Sequence, residues 1–93
     1  MTYTIVMITV IETRPYGRRA DRLLTENDRM EVARTIAENP TAGDIMWGTG
    51  GVRKRRVALQ GCGKRGGARV VYYYNSDNIP VFLLDLFTKK EKD

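Results

Sequence analysis

The chain has 93 residues, no histidine, a formal net charge of +5 and a sequence pI near 9.7. That length allows one domain, residues 1–93, with a small core, and 42% hydrophobic with 29% charged residues is the balance of a folding chain. Without His, imidazole-activated nucleophiles, paired-His ribonuclease chemistry and ordinary His-ligated metal sites are excluded; the single Cys62 excludes an internal disulfide and a zinc cluster.

Taken in order, residues 3–11 are dominated by β-branched side chains (Thr4, Ile5, Val6, Ile8, Thr9, Val10, Ile11), which predicts a strand. The run is too short to span a bilayer and has no positive leader or small-residue cleavage site. No membrane association is therefore expected, and the lone cysteine fits a reducing, cytoplasmic setting. Pro15 suits the first turn of a helix over residues 15–24 that would bury Tyr16, Ala20, Leu23 and Leu24, although Gly17 weakens it. Thr25 followed three residues later by Asp28 reads as an N-cap for a second helix over residues 26–38, with Met30, Ala33, Ile36 and Ala37 as its apolar stripe. Asn39-Pro40 stops that helix, because the residue before proline avoids the helical region.

Residues 40–51 read as a loop or short extended piece carrying Trp47. Residues 52–59 and 68–75 are rich in Val, Tyr and other strand formers and flank a Gly-rich loop, the pattern of a long hairpin. Ser76-Asp77-Asn78 is a turn signal, and residues 79–87 are a strongly apolar last strand that tolerates Pro80 near its start. The expected fold is α+β: an N-terminal strand, two helices, then a three-stranded antiparallel meander, with both helices on one sheet face and the other face free for function.

The charge is concentrated in the hairpin. Between residues 45 and 76 lie Arg53, Lys54, Arg55, Arg56, Lys64, Arg65 and Arg69, with no Asp or Glu, so the rest of the chain sums to −2 against +7 here. Strand alternation sets the display. If Val57 and Leu59 point to the core, Lys54 and Arg56 point away from it, and Arg69 can join them from the partner strand with Tyr73 nearby. A cationic plate with an aromatic ring suits phosphate and base. The plainer alternative is a solvated hairpin whose charges guard it against pairing with other strands. Residues 61–66 match GxGxxG but sit between strands with no helix after them, so they are not read as a dinucleotide loop. With no carboxylate in the basic window, no metal or other cofactor is expected, and any catalysis would rest on Lys, Arg and Tyr.

Residues 48–58 (GTGGVRKRRVA), 63–74 (GKRGGARVVYYY) and 83–92 (LLDLFTKKEK) together resemble the RelE/HigB toxins of bacterial type II toxin–antitoxin systems. NPTAGD at residues 39–44 is similar to the HigB-like branch, and the likeness runs over essentially the whole chain. The resemblance implies a microbial RNase-like fold and a ribosome-dependent mRNA endoribonuclease that cuts in the A site by metal-free attack of a ribose 2′-hydroxyl. Its implied partners are the ribosome and mRNA, a helix-turn-helix antitoxin of HigA type, and operator DNA only through that antitoxin. By position the family's catalytic residues fall on Lys54, Arg56, Arg69, Lys89 and Lys90, with Arg53, Lys64, Arg65 and Tyr73 as further RNA contacts. Lys54 or Arg56 would help deprotonate the hydroxyl, Arg69 would steady the phosphorane, and Lys89 or Lys90 would assist the leaving oxygen. Arg55 departs from the pattern, standing where an apolar residue is common: either the inner face is partly open there or the side chain snorkels outward. The alternative within the same fold is a non-catalytic module that binds RNA or antitoxin.

Overall fold

The β-branched run at the N-terminus supplies two strands where one was expected: β1 (Thr2–Ile5) and β2 (Ile8–Glu12), paired antiparallel with Thr4 opposite Thr9. Propensity marks extended backbone but not where it reverses. The computed structural model describes residues 2–5, 8–59 and 67–88, residues 3–5 by their backbone alone.

Helix α1 (Arg14–Leu23) follows, with Pro15 in its first turn. Thr13 occupies its N-cap without capping it, because the hydroxyl donates instead to the Leu83 carbonyl oxygen at 2.7 Å, beside the Thr13 N–H at 3.1 Å. The helix is thus tied to the last strand at its start. Tyr16 and Ala20 are buried, as is Leu24 just beyond the helix, while Leu23 is partly buried. Helix α2 (Glu26–Glu38) has the expected cap: the Asp28 N–H donates to Thr25 Oγ1 at 3.0 Å. Its core stripe is Val32, Ala33, Ile36 and Ala37; Met30, expected in that stripe, is 55% exposed.

Four further strands complete the sheet: β3 (Asp44–Ile45), β4 (Val52–Val57), β5 (Ala68–Tyr73) and β6 (Val81–Thr88), in the order β1-β2-β6-β5-β4-β3. The antiparallel meander β4-β5-β6 is as expected. The rest of the topology corrects the expectation. β2 lies parallel to β6, and β3 adds a short edge, so the sheet is mixed and has six strands. Parallel neighbours need a long connection, and here the chain between β2 and β6 runs through both helices and then β3, β4 and β5. Val71 lies opposite Asp85 but Tyr72 opposite Leu83, a register shift that leaves Leu84 as the extra residue of a bulge.

One sheet face and both helices form the core. Val10, Val57, Val70, Tyr72, Val81, Leu83 and Leu86 pack with Tyr16, Ala20, Val32, Ala33 and Ile36, and full burial of such an aliphatic side chain stabilises by roughly 1.5–3 kcal/mol. Within that layer the Glu12 carboxylate accepts from Arg29 at 2.7 and 3.3 Å, and Arg29 also donates to Asp21 at 2.6 Å. No helix among the described residues is long and apolar enough to cross a membrane.

Candidate nucleic-acid interface

The other sheet face can be read off the registers, because residues opposite one another on paired strands share a face. One row runs Asp44–Lys54–Val71–Asp85 across β3, β4, β5 and β6. The next runs Arg56–Arg69–Phe87, and on the other side lies Val52–Tyr73–Phe82. Lys54, Arg56 and Arg69 therefore converge, and with Ala42, Asp44 and Arg55 they line one open hollow. Neither Lys54 nor Arg56 makes an ion pair with a carboxylate among the described residues.

The odd-numbered arginines of β4 face the opposite way. Arg55 donates to the carbonyl oxygens of Thr35 and Asn39, both at 3.3 Å, at the C-terminal end of α2. At this partly exposed position the cation satisfies helix-end carbonyls and the negative end of the helix dipole. Arg53, a sequence candidate for RNA contact, donates to the carbonyl oxygens of Thr41 (3.2 Å) and Gly43 (3.0 Å) and does not line the hollow. Tyr73 shares the face of Lys54 but lies in the next row. Its ring is 6.4 Å from that of Phe82, tilted by 43°, and its hydroxyl accepts from Asn75 Nδ2 at 3.1 Å. Lys64, Arg65, Lys89 and Lys90 lie outside the described residues.

Sequence reasoning missed the acids. The basic window holds none, yet the strands on either side bring Asp44 and Asp85 to the same face. Asp85 accepts from Arg19 Nε of α1 at 2.9 Å, and the Arg19 guanidinium carbon lies 5.3 Å from the centroid of the Phe87 ring. Asp44 lines the hollow itself, opposite Lys54. No sequence signal marked it, since a two-residue strand has no periodicity to read.

Tyr72 fixes the approach to Asp44. Fully buried, its hydroxyl donates to the Pro40 carbonyl oxygen at 2.8 Å and accepts from the Gly43 N–H at 3.1 Å. Burial raises the pKa of this hydroxyl, partly opposed by the Gly43 bond and by the positive charges of Arg55 and Arg53. The residues preceding β3 are thus held from beneath by β5, and Asp44 is delivered to the rim of the cationic hollow. Such a site can grip a phosphate through Lys54, Arg56 and Arg69 and take up a proton on Asp44 or Lys54.

The family model for the RelE toxin of the RelE/RelB toxin–antitoxin system matches this chain over residues 9–93.

Proposed function

The chain belongs to the RelE toxin family, and from that membership we propose that it is a metal-independent endoribonuclease acting on mRNA in the ribosomal A site. As a toxin of a toxin–antitoxin system it has an antitoxin partner; a HigA-like, helix-turn-helix identity for that partner is part of the proposal. Operator DNA would be reached only through the antitoxin, and the setting would be the cytoplasm.

In the proposed step the ribose 2′-hydroxyl attacks the adjacent phosphorus as its proton passes to Lys54, with Asp44 as the neighbouring acceptor. Arg56 and Arg69 stabilise the charge that builds on the pentavalent phosphorane. The P–O5′ bond then breaks, leaving a 2′,3′-cyclic phosphate and a 5′-hydroxyl, whose oxygen takes its proton from Lys89 or Lys90. Tyr73, Lys64 and Arg65 would extend the grip along the RNA. The supporting observation is the hollow shared by Lys54, Arg56, Arg69 and Asp44.

The test is primer extension on an mRNA translated in a reconstituted system, with wild-type protein and an Arg69→Ala variant of unchanged circular dichroism. Codon-phased cuts with the wild type and about 10²-fold slower cutting with the variant are expected. Intact mRNA despite salt-sensitive RNA binding would replace the nuclease with a non-catalytic binding module.

A further inference from the structure

The largest anomaly outside the hollow is Trp47, the only tryptophan in the chain, which is 96% exposed. It stands on the connection between β3 and β4, where the backbone is held in one shape. The Thr49 hydroxyl donates to the Met46 carbonyl oxygen at 2.6 Å and accepts from the Val52 N–H at 3.1 Å, while the Met46 N–H donates to Val52 O at 2.8 Å. Gly48 and Gly50, both at φ 77°, supply the left-handed residues such a turn requires. A rigid turn that displays an indole to water gains nothing from it within this chain.

The neighbours of Trp47 continue the pattern. Ile45 is 54% exposed and Met46 38% exposed, and with Tyr74 they line a hollow beside the turn. Ile45 pairs with Arg53 and so shares the face turned away from Lys54 and Asp44. The one cation lining this hollow, Arg53, is committed to the carbonyl oxygens of Thr41 and Gly43. An apolar, rigid hollow whose only cation is engaged is a poor seat for a polyanion. It suits the side chains of a protein. The same corner is also a sheet edge, because β3 ends the strand order and its outer backbone groups are open to a further strand.

We propose that the hollow of Ile45, Met46, Trp47 and Tyr74, with the β3 edge beside it, docks an apolar segment of the antitoxin, with Trp47 as the anchor. Membership of the family supplies the occupant, a dedicated protein partner; the inference does not depend on the nuclease reading. Exposed aromatic anchors in central pockets dominate the energetics of protein interfaces, and a large exposed apolar cluster on a small domain marks such an interface.

A single tryptophan makes the experiment direct. The probe is the antitoxin encoded beside this chain's gene, purified by denaturing separation from the co-expressed complex and refolded. Titrated into the toxin with excitation of the indole, an antitoxin lacking tryptophan, or made so, is expected to shift the emission to shorter wavelength. Trp47→Ala, which removes no intramolecular packing, is expected to weaken the complex at least tenfold by calorimetry, and Ile45→Asp to weaken it similarly. Both variants are expected to keep wild-type mRNA cleavage, so failure here and failure of the nuclease reading are separable. Antitoxin that binds Trp47→Ala with unchanged affinity, or leaves the emission where it was, overturns the proposal. So does an emission shift produced by a single-stranded RNA oligonucleotide and not by antitoxin.

Discussion

Gly43 and Tyr72 approach so closely that a methyl group on Gly43 would stand 2.6 Å from the Tyr72 hydroxyl oxygen. No side chain fits there without moving that hydroxyl off Pro40 and Gly43. Gly43→Ala is therefore expected to lower stability and to displace Asp44 from the rim, reducing cleavage beyond what the loss of folded protein explains. Urea denaturation with activity per folded molecule checks both.

Tyr72→Phe keeps the ring and strands the Gly43 N–H and the Pro40 carbonyl, at a cost of about 1–3 kcal/mol near neutrality. Its pH dependence has a definite sign. Because the folded Tyr72 hydroxyl has a raised pKa, the native state holds its proton where the unfolded chain has lost it. The contribution is complete below pH about 10, the ordinary tyrosine value, and is lost as pH rises from there through the raised folded value. The stability gap between wild type and Tyr72→Phe is expected to stay constant up to about pH 10 and to narrow as pH rises beyond it. Tyr74, whose pKa is also raised, by its hydrogen bond to Asp77, cancels in that difference. A gap that widens with pH would refute the assignment.

Within the hollow, Lys54→Ala and Arg56→Ala are expected to slow cleavage by about 10²-fold or more and to change stability by no more than about 0.5 kcal/mol, as surface substitutions do. Asp44→Asn tests proton uptake: a slower reaction with undiminished RNA binding is expected. Unchanged cleavage in Asp44→Asn would leave Lys54 as the acceptor.

Arg55→Ala should behave in the opposite way to its neighbours. Losing two hydrogen bonds to the end of α2 is expected to cost about 1–3 kcal/mol while cleavage per folded molecule stays the same. Comparing unfolding midpoints and single-turnover rates across Lys54, Arg55 and Arg56 gives a pattern that alternates along one strand. A uniform loss of activity at all three would contradict the assigned faces.

The Glu12–Arg29 pair lies within the core layer, with the Glu12 side chain 1% exposed. The hydrogen bond to Glu12 holds the Arg29 guanidinium charged well beyond its ordinary range, against the opposing effect of burial. Arg29→Met alone leaves a buried carboxylate without its cation and is expected to cost about 3–5 kcal/mol. Glu12→Leu combined with Arg29→Met is expected to recover most of that loss. Additive losses in the double variant would show that the two charges act independently.

Local signals carried much of this in the sequence. Thr25 and Asp28 mark the start of α2, Asn39-Pro40 its end, and alternation lets Lys54, Arg56 and Arg69 share one face. What failed was what those signals do not encode. No Asn-Gly or Asp-Gly dipeptide interrupts residues 3–11, so the reversal between β1 and β2 had no marker. Met30 fits the helical period as well as Val32 does, and only the neighbouring sheet decides which is covered. Asp44 and Asp85 escaped because a charge window counts neighbours along the chain, whereas strand pairing brings in neighbours from outside it. Arg55 looked like a misfit because its acceptors are backbone carbonyls, which composition never reveals.

The basic run of β4 divides by parity: even positions turn to the open face and odd positions serve the scaffold. Such a strand is tolerant of exchange within each set but brittle to any change in length. One codon inserted or deleted between Val52 and Val57 would turn Lys54 and Arg56 toward the helices and push Arg53 or Arg55 to the solvent side, losing the helix tether and the cationic hollow in one event. Divergence of this toxin should therefore accumulate as point substitutions in β4, with insertions and deletions confined to the connections around it.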